Sequence, residues 1–261
     1  MIVVKFGGHA MKDENGNFAK AISAALATGE KVVVVHGGGP QIDAALKAKQ
    51  ITSDWIGGFR VTTQEIFDVV EDVLVNQVGH EVAATLAKSG IKAKAISARE
   101  LPTVIARRRT TLIDGTPADL GFVGEVQSVN PSQLLELLAD GFVPVVAPIS
   151  SDEDLKTGLN VNADFSAAAI AAALGASALI VMTDVAGIYR SWPDKSSLID
   201  VITAAELESI KAVFAEGMAP KVQAALDALS FGAKAVRIID GTDPDSFASA
   251  LAGSGGTLVV A

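Results

Sequence analysis

The sequence predicts an α/β protein in which a mainly parallel sheet carries helices on both faces. Short runs rich in β-branched residues, such as Ile2–Phe6 and residues 31–35, end at glycine clusters, as buried parallel strands often do. Segments with apolar residues at helical spacing follow these runs. Regular alternation of strand and helix is typical of parallel sheets, because each crossover needs a helix to return the chain.

The same reading assigns the elements in chain order. The expected strands are Ile2–Phe6, 31–35, 91–97, Val143–Ala147, 179–182, 235–239 and Thr257–Val260. The expected helices are 18–27, 41–48, 62–86, 133–138, 162–174, 204–215 and 221–229. Residues 99–128 interrupt the alternation with Pro102, Asp114-Gly115 and Gly121, which predicts an antiparallel excursion with turns. Any boundary between two lobes should fall near residues 172–178, with the sheet continuing across it.

Composition excludes several classes of site and partner. The 261 residues contain no cysteine, so disulfides, thiolate nucleophiles and iron–sulfur clusters are excluded. A net charge of −9 argues against general nucleic-acid binding. The three histidines lack metal-ligand spacing, and no apolar run is long enough to span a bilayer. The chain opens on a strand pattern without signal-peptide features, so we expect a cytoplasmic protein that binds neither nucleic acid nor membrane.

Three glycine clusters lie where strands end and helices begin. They are Lys5-Phe6-Gly7-Gly8, His36-Gly37-Gly38-Gly39-Pro40 and Gly217-Met218-Ala219-Pro220-Lys221. Backbone N–H groups at a helix N-terminus attract anions, and glycine lets a ligand approach that backbone closely. The pattern G-x-x-x-x-G-K-[ST] is absent from the chain. The clusters therefore predict a phosphoryl-binding site that is not a Walker A loop.

Two lysines and an aspartate are candidates for the chemistry. Lys5 interrupts a buried-strand pattern, and Lys221 lies in the first turn of a helix, where the macrodipole disfavours a cation. Although most lysines are solvated, both positions favour an anionic neighbour. Asp164 falls in the first turn of an apolar helix, either as a cap or as the group that orients the two lysines.

Polar residues in two further segments are candidate ligand contacts. Arg60 follows two glycines in a loop, and Thr62 should end this loop as the N-cap of the next helix. The guanidinium of Arg60 is suited to binding a carboxylate. Asn160 and Asn162 share one face of an extended segment, although capping should account for one of them. The turn from Asp184 to Tyr189 is either structural or a nucleotide contact, since it follows a strand. The run of arginines at 107–109 reads most simply as a surface feature.

The order of these motifs resembles that of the amino acid kinase family over essentially the whole chain. The residues that carry the resemblance are Lys5-Phe6-Gly7-Gly8, His36-Gly37-Gly38-Gly39-Pro40, Gly58-Phe59-Arg60-Val61-Thr62, Asn160-Val161-Asn162-Ala163-Asp164, Thr183-Asp184-Val185-Ala186-Gly187 and Gly217-Met218-Ala219-Pro220-Lys221. Within the family the chain is most similar to the enzymes that phosphorylate N-acetyl-L-glutamate. Each motif alone is moderately specific, whereas six in register make a strong resemblance.

The resemblance implies a fold, a reaction and its cofactors. The fold would be an open αβα sandwich with two lobes on a continuous, mainly parallel sheet. Residues 1–174 would bind the amino-acid substrate and residues 175–261 would bind ATP. The reaction would transfer a phosphoryl group from MgATP to the γ-carboxylate of N-acetyl-L-glutamate, giving N-acetyl-L-glutamyl 5-phosphate for arginine biosynthesis. Mg²⁺ would be held mainly by the ATP phosphates rather than by side chains.

The resemblance also implies roles for individual residues. Lys5 and Lys221 would stabilise the transition state, and Asp164 would position both lysines. The residues expected to bind the amino-acid substrate are Gly38, Gly39, Arg60, Asn160 and Asn162. The residues expected to border the nucleotide are Gly7, Gly8, Asp184, Val185, Gly187, Ile188, Tyr189, Gly217 and Met218.

Other interpretations stay open at the level of sequence. The same fold serves kinases that phosphorylate a carrier-linked aminoadipate in lysine biosynthesis, and it also allows a non-catalytic regulatory module. Relatives that arginine inhibits carry an additional N-terminal helix and a basic and acidic C-terminal pattern. The resemblance therefore implies a homodimer that arginine does not inhibit.

Overall fold

The computed structural model describes residues 1–7, 16–214, 218–243 and 245–261. Gly8 and Gly217 of the predicted site therefore lie outside the described residues. In the described part the strands are β1 (Ile2–Phe6), β2 (Val32–His36), β3 (Trp55–Ile56), β4 (Phe59–Arg60), β5 (Ala93–Ser97), β6 (Val104–Arg108), β7 (Val123–Val129), β8 (Val143–Ala147), β9 (Ile149–Ser151), β10 (Gly158–Val161), β11 (Ala178–Thr183), β12 (Val201–Thr203), β13 (Ala235–Asp240) and β14 (Thr257–Val260).

Helices alternate with these strands as the sequence predicts. Those in the described ranges are α1 (Asn17–Ala27), α2 (Gly39–Ala48), α3 (Gln64–Glu71), α4 (Gly79–Lys88), α5 (Ser132–Ala139), α6 (Ala163–Ala173), α7 (Ala204–Ile210), α8 (Ala219–Ser230) and α9 (Ser246–Leu251). A π-helical segment, Asp72–Val78, joins α3 to α4, so the single helix predicted over 62–86 is continuous but widened at its centre.

The central sheet has the order β12-β14-β13-β11-β1-β2-β8-β5 among the described strands. Its pairs are parallel except for β13 with β14, which are antiparallel. Strands from residues before 174 form the half from β1 to β5, and strands from later residues form the half from β11 to β12. The predicted α/β class with a mainly parallel sheet is confirmed.

The excursion at residues 99–128 contributes β6 and most of β7 to a second, smaller sheet, which β9 and β10 complete. This sheet is a small closed barrel with the strand order β10-β7-β6-β9. Strands β6 and β7 are antiparallel, as predicted. A two-stranded hairpin, β3–β4, lies apart from both sheets, and Trp55 pairs with Arg60 across it. Gly57 and Gly58 at its tip have φ values of 55° and 81°, which glycine adopts without steric cost.

Two apolar clusters cover the faces of the central sheet. Alternate residues of β1 point to opposite faces, so Val4 joins one cluster with α1 and α3 while Val3 joins the other with α6 and α8. Lys5 follows on the same strand and is buried with them. A buried ammonium group is costly without a counter-charge, so the sheet itself requires a carboxylate at this end of β1.

The structure corrects several predicted boundaries. Thr63, not Thr62, caps α3, because its hydroxyl accepts a hydrogen bond from Ile66 N at 3.3 Å. The helix predicted over 204–215 ends at Ile210 and continues only as a short 3₁₀ turn. Strand β12 and helix α9 were not predicted, since each is short and its apolar period is weak.

Candidate active site

A cleft of about 490 Å³ opens where β1, β2 and β10 end and where α2, α6 and α8 begin. Strand β1 lies between β2 and β11, so the strand order reverses beside it. Ligands of open parallel sheets bind at such a point, at the carboxyl ends of the strands. The predicted residues that line the cleft are Lys5, Gly38, Gly39, Arg60, Asn160, Asn162, Asp164 and Lys221.

Asp164 joins the two predicted catalytic lysines. Lys5 Nζ lies 3.2 Å from Asp164 Oδ1, and Lys221 Nζ lies 3.2 Å from Asp164 Oδ2. The three residues come from β1, α6 and α8, and they are 57 to 216 positions apart in the chain. The carboxylate is buried, while both ammonium groups border the cleft. One negative charge therefore holds two positive charges at the same wall.

The balance of charges keeps Asp164 ionised. Burial alone would raise the pKa of this carboxyl, but Lys5 and Lys221 outweigh that effect and hold its pKa below the usual value. Asp164 is therefore negative at neutral pH, and the three groups together carry a net charge of about +1. This excess positive charge in a largely buried site favours the binding of an additional anion.

Glycines bring the loops after β1 and β2 close together. A Cβ on Gly7 would lie 3.1 Å from Lys5 Nζ, so the glycine leaves room for the lysine to fold back toward Asp164. Gly37 N donates to Phe6 O at 2.8 Å, which uses this amide in the backbone ladder. Of the three glycines in the second cluster, Gly38 and Gly39 are thus the candidates for ligand contact.

Helix α2 begins at these glycines and its first turn faces the cleft. Pro40 occupies the start of the helix, where its missing N–H has no consequence. The first N–H groups of a helix have no partner within the helix and carry partial positive charge. A Cβ on Gly38 would lie 2.6 Å from Leu74 Cδ2, whereas one on Gly39 would meet nothing within 4 Å. Glycine at position 38 therefore allows close packing against the π-helical segment, and a larger residue there would have to displace the Leu74 side chain.

Arg60 lies at another wall of the same cleft. Its guanidinium is buried, donates to Ser53 Oγ at 2.7 Å and to Asp43 Oδ1 at 2.6 Å, and lies over the Trp55 ring at 4.6 Å. These contacts fix the plane of the guanidinium. Asp43, Ser53 and Trp55 were not predicted as site residues.

The two asparagines have different contacts. Asn162 caps α6, because its side chain accepts a hydrogen bond from Asp164 N at 2.8 Å. Asn160 Nδ2 donates to Thr62 Oγ1 at 3.2 Å and borders the cleft beside Arg60. Capping thus accounts for one of the two, as expected, and Asn160 is the better candidate for a ligand contact.

The predicted nucleotide residues after β11 lie away from the cleft lining. Asp184 is exposed and Val185 is half-buried, at the carboxyl end of β11. Ile188 is fully buried, and its N–H donates to Thr257 Oγ1 at 2.8 Å. A Cβ on Gly187 would lie 2.4 Å from the same hydroxyl oxygen. Gly187 and Ile188 therefore serve the packing of this loop against β14.

The remaining predicted nucleotide residues in the described ranges are Tyr189, in the turn after β11, and Met218, directly before α8. Tyr189 makes an edge contact with Trp192, with ring centroids 5.2 Å apart. Met218 is half-buried before α8, and its carbonyl accepts the N–H groups of Lys221 and Val222. The nucleotide roles of Gly7, Asp184, Val185, Gly187, Ile188, Tyr189 and Met218 stay predictions.

His36 lies behind the glycine cluster rather than in the cleft. Its ring is fully buried, Nδ1 donates to Gly37 O at 2.8 Å, and burial lowers its pKa to about 4. A Cβ on Gly79 would lie 3.1 Å from His36 Nε2, so glycine at that position makes room for the ring. His36 is therefore neutral at pH 7 and supports the Gly37 carbonyl.

A larger cavity, about 720 Å³, lies elsewhere, against α6, α8 and β7. None of the predicted site residues in the described ranges lines it. Arg107 and Arg108 are exposed, as a surface run should be. Arg109 at the wall of this cavity is the exception, because its guanidinium lies over the rings of Phe59 at 4.6 Å and Phe165 at 5.5 Å. Chemistry rather than volume identifies the site: the smaller cleft holds the converging charges.

The cleft can bind a molecule with two acidic ends. Positive charge lines one part of the cleft, where Lys5, Lys221 and the first turn of α2 meet. At another part, the guanidinium of Arg60 can bind a carboxylate. Across the described ranges no three His, Asp or Glu side chains come together as metal ligands. No helix in the described ranges is both long and apolar enough to cross a membrane.

Comparisons with known proteins give a family match and named relatives. A model of the amino acid kinase family matches residues 1–240. The acetylglutamate kinase of Beutenbergia cavernae is 45% identical over 247 residues, which cover 94% of this chain and 79% of that protein. The acetylglutamate kinase of Arthrobacter sp. (strain FB24) is 45% identical over 252 residues, covering 94% and 81% of the two chains.

Solved structures share the fold. A protein from Streptococcus mutans UA159 superposes with a TM-score of 0.83 at 28% identity, covering 99% of this chain and 98% of that one. N-acetylglutamate synthase from Neisseria gonorrhoeae superposes with a TM-score of 0.84 at 23% identity, and the match spans 59% of that longer chain. With the sequence matches, these likenesses lead to one conclusion: the chain belongs to the amino acid kinase family.

Proposed function

We propose that this protein is an acetylglutamate kinase, which transfers the terminal phosphoryl group of ATP to the γ-carboxylate of N-acetyl-L-glutamate. The observation that carries the proposal is the convergence of Lys5 and Lys221 on Asp164 in the cleft that Arg60 also lines. Relatives named acetylglutamate kinase, at 45% identity over 94% of the chain, support the choice of substrate. The product would be N-acetyl-L-glutamyl 5-phosphate, an intermediate of arginine biosynthesis.

The substrate would be held at its α-carboxylate. Arg60 keeps a fixed plane through its contacts with Asp43, Ser53 and Trp55, which suits bidentate binding of a planar carboxylate. Asn160 lies beside it and offers an amide. Held in this way, the γ-carboxylate would point toward the lysines and the first turn of α2.

The transfer step depends on alignment and charge neutralisation. The γ-carboxylate is ionised at neutral pH, so no general base is required. Its attack on a phosphoryl group brings two anions together, and Lys5, Lys221 and the N–H groups at Gly38 and Gly39 would offset their repulsion. Asp164 would keep both ammonium groups aimed at the migrating group. Mg²⁺, held mainly by the ATP phosphates, would neutralise further phosphate charge.

Several finer features belong to the same proposal. Residues 1–174 would hold N-acetylglutamate, and residues 175–261 would hold ATP. The division of the sheet between β1 and β11 supports this assignment. The residues that would border the nucleotide are Gly7, Gly8, Asp184, Val185, Gly187, Ile188, Tyr189, Gly217 and Met218. We also propose a cytoplasmic homodimer that arginine does not inhibit, which light scattering and an arginine titration of the activity would test.

An ADP-release assay with a substrate panel tests the proposal. Release of ADP with MgATP should depend on N-acetyl-L-glutamate and be weak with L-glutamate or an N-acylated aminoadipate. Hydroxylamine should trap the acyl phosphate as a hydroxamate in equal amount to the ADP. Faster turnover with the aminoadipate derivative would favour the lysine-biosynthesis kinase instead. No ADP release with any of the three would favour a non-catalytic module and overturn the proposal.

A further inference from the structure

The partners of Arg60 are unusual for a group assigned to bind a substrate carboxylate. The side chain of Arg60 is only 5% exposed, yet its guanidinium already forms an ion pair with Asp43, whose side chain is 60% exposed. Ser53 and the Trp55 ring hold its other atoms. A carboxylate of the protein therefore occupies one position on the very group that should bind a carboxylate of the substrate.

The donors of Arg60 allow both interactions together. A guanidinium has five N–H groups in a planar fork. Asp43 uses one on Nη2 and Ser53 uses one on Nη1. Three N–H groups remain, which is enough for a second, bidentate carboxylate. Asp43 thus orients the guanidinium and still leaves N–H groups that can bind a substrate carboxylate.

The ion pair also connects two separate parts of the fold. Arg60 lies on the hairpin β3–β4, which belongs to neither larger sheet. Asp43 lies on α2, one turn after Gly38 and Gly39 at the other part of the cleft. The bond between them at 2.6 Å ties the carboxylate clamp to the helix whose N-terminus would receive the phosphoryl group.

We propose that Asp43 is a positioning residue that fixes the distance between the Arg60 clamp and the N-terminus of α2. This distance sets the length of the dicarboxylate that can bridge the cleft, so Asp43 contributes to selection of a glutamate over a homologue with one more methylene. The inference rests on the proposed function, because it assumes that Arg60 binds the α-carboxylate.

Substitution of Asp43 should change binding and length selectivity more than turnover. Asp43→Asn keeps the size of the side chain but removes the charge that holds the guanidinium. We expect the KM for N-acetyl-L-glutamate to rise roughly 10-fold with kcat within about 3-fold of the parent. The ratio of kcat/KM for N-acetyl-L-glutamate over N-acetyl-L-2-aminoadipate should fall at least about 5-fold, since one methylene is worth roughly 10- to 200-fold in selectivity.

Two further variants separate this role from a general effect. Ser53→Ala removes the other hydrogen bond to Arg60 and should raise the KM in the same direction by a smaller factor. Asp54→Asn removes a nearby exposed charge that is not a partner of Arg60, and should leave the KM and the selectivity unchanged. Calorimetric titration with N-acetyl-L-glutamate should show the same order of affinities without turnover.

The outcomes distinguish this inference from the proposed function. If the parent protein phosphorylates N-acetyl-L-glutamate but Asp43→Asn leaves the KM and the selectivity ratio unchanged, the inference is wrong and the function stands. A lower KM in Asp43→Asn would also overturn it, because Asp43 would then mainly repel the substrate. If the parent releases no ADP with any substrate, the proposed function fails first.

Discussion

At the scale of single residues, Asp164 is the carboxylate that pairs with both Lys5 and Lys221. Asp164→Asn keeps the shape but leaves Lys5 and Lys221 without their shared anion in a largely buried site. We expect the free energy of unfolding to fall by about 3 kcal/mol. The exposed pair of Asp154 and Lys156 provides a control, since Asp154→Asn should cost less than about 0.5 kcal/mol. Urea denaturation measures both, and equal effects would contradict the structural role of Asp164.

A second residue-scale prediction concerns His36 and pH. Its folded-state pKa is about 4, because burial disfavours the charged ring, whereas the unfolded chain takes up a proton near pH 6.5. The folded state is stabilised by holding His36 neutral. This stabilisation is therefore complete above pH 6.5 and is lost as the pH falls toward 4. Over that window we expect a loss of about 3 kcal/mol in the parent. His36→Gln should lack this component in urea titrations, and parallel pH profiles for the two proteins would contradict it.

Single residues also show where sequence reasoning stops. Lys5 and Lys221 were predicted because each lies in a pattern that disfavours a cation: a buried strand and the first turn of a helix. Asp164 was predicted because a carboxylate at a helix start can either cap the helix or orient the two lysines. The pairing of Asp43 with Arg60 was not predictable. Asp43 is an ordinary polar residue of an amphipathic helix in the sequence, and only the folding of the hairpin onto α2 brings it to the guanidinium.

At the scale of elements, helix α2 depends on contact of its first turn with the π-helical segment. Gly38→Ala would place a Cβ 2.6 Å from Leu74 Cδ2, while Gly39→Ala would place one in open space. We expect Gly38→Ala to lower the free energy of unfolding by about 1–3 kcal/mol through overpacking. Gly39→Ala should be neutral or slightly stabilising, because alanine restricts the unfolded chain. Thermal denaturation of the pair tests this, and equal melting temperatures would contradict it.

Among the elements, long buried strands and glycine turns were the most predictable. The strands Ile2–Phe6, Val143–Ala147 and Thr257–Val260 have the predicted bounds, because continuous β-branched runs ended by turns are distinctive. The antiparallel direction of β14 and the π-helical segment were not predicted. Strand β14 lies between β12 and β13, and its direction depends on how the chain returns to the sheet rather than on a local pattern. The apolar spacing of residues 72–78 is helical and does not distinguish a π-helix from an α-helix.

At the scale of the whole molecule, the two halves of the sheet should bind different ligands. Hydrogen exchange measured with N-acetyl-L-glutamate should show protection in α2, β4 and β10, which surround Arg60 and Asn160. Exchange measured with MgADP should show protection in the turn after β11 and the start of α8. If MgADP instead protected α2 and β4 alone, the assignment of ATP to residues 175–261 would be wrong.

The most direct test is the turnover of Lys5→Ala and Lys221→Ala with saturating MgATP and N-acetyl-L-glutamate. Each ammonium group should neutralise charge that develops during phosphoryl transfer, so we predict that kcat falls at least about 10²-fold in either variant while circular dichroism stays unchanged. Turnover within about 3-fold of the parent in either variant would show that the lysine only pairs with Asp164, and would contradict the proposed mechanism.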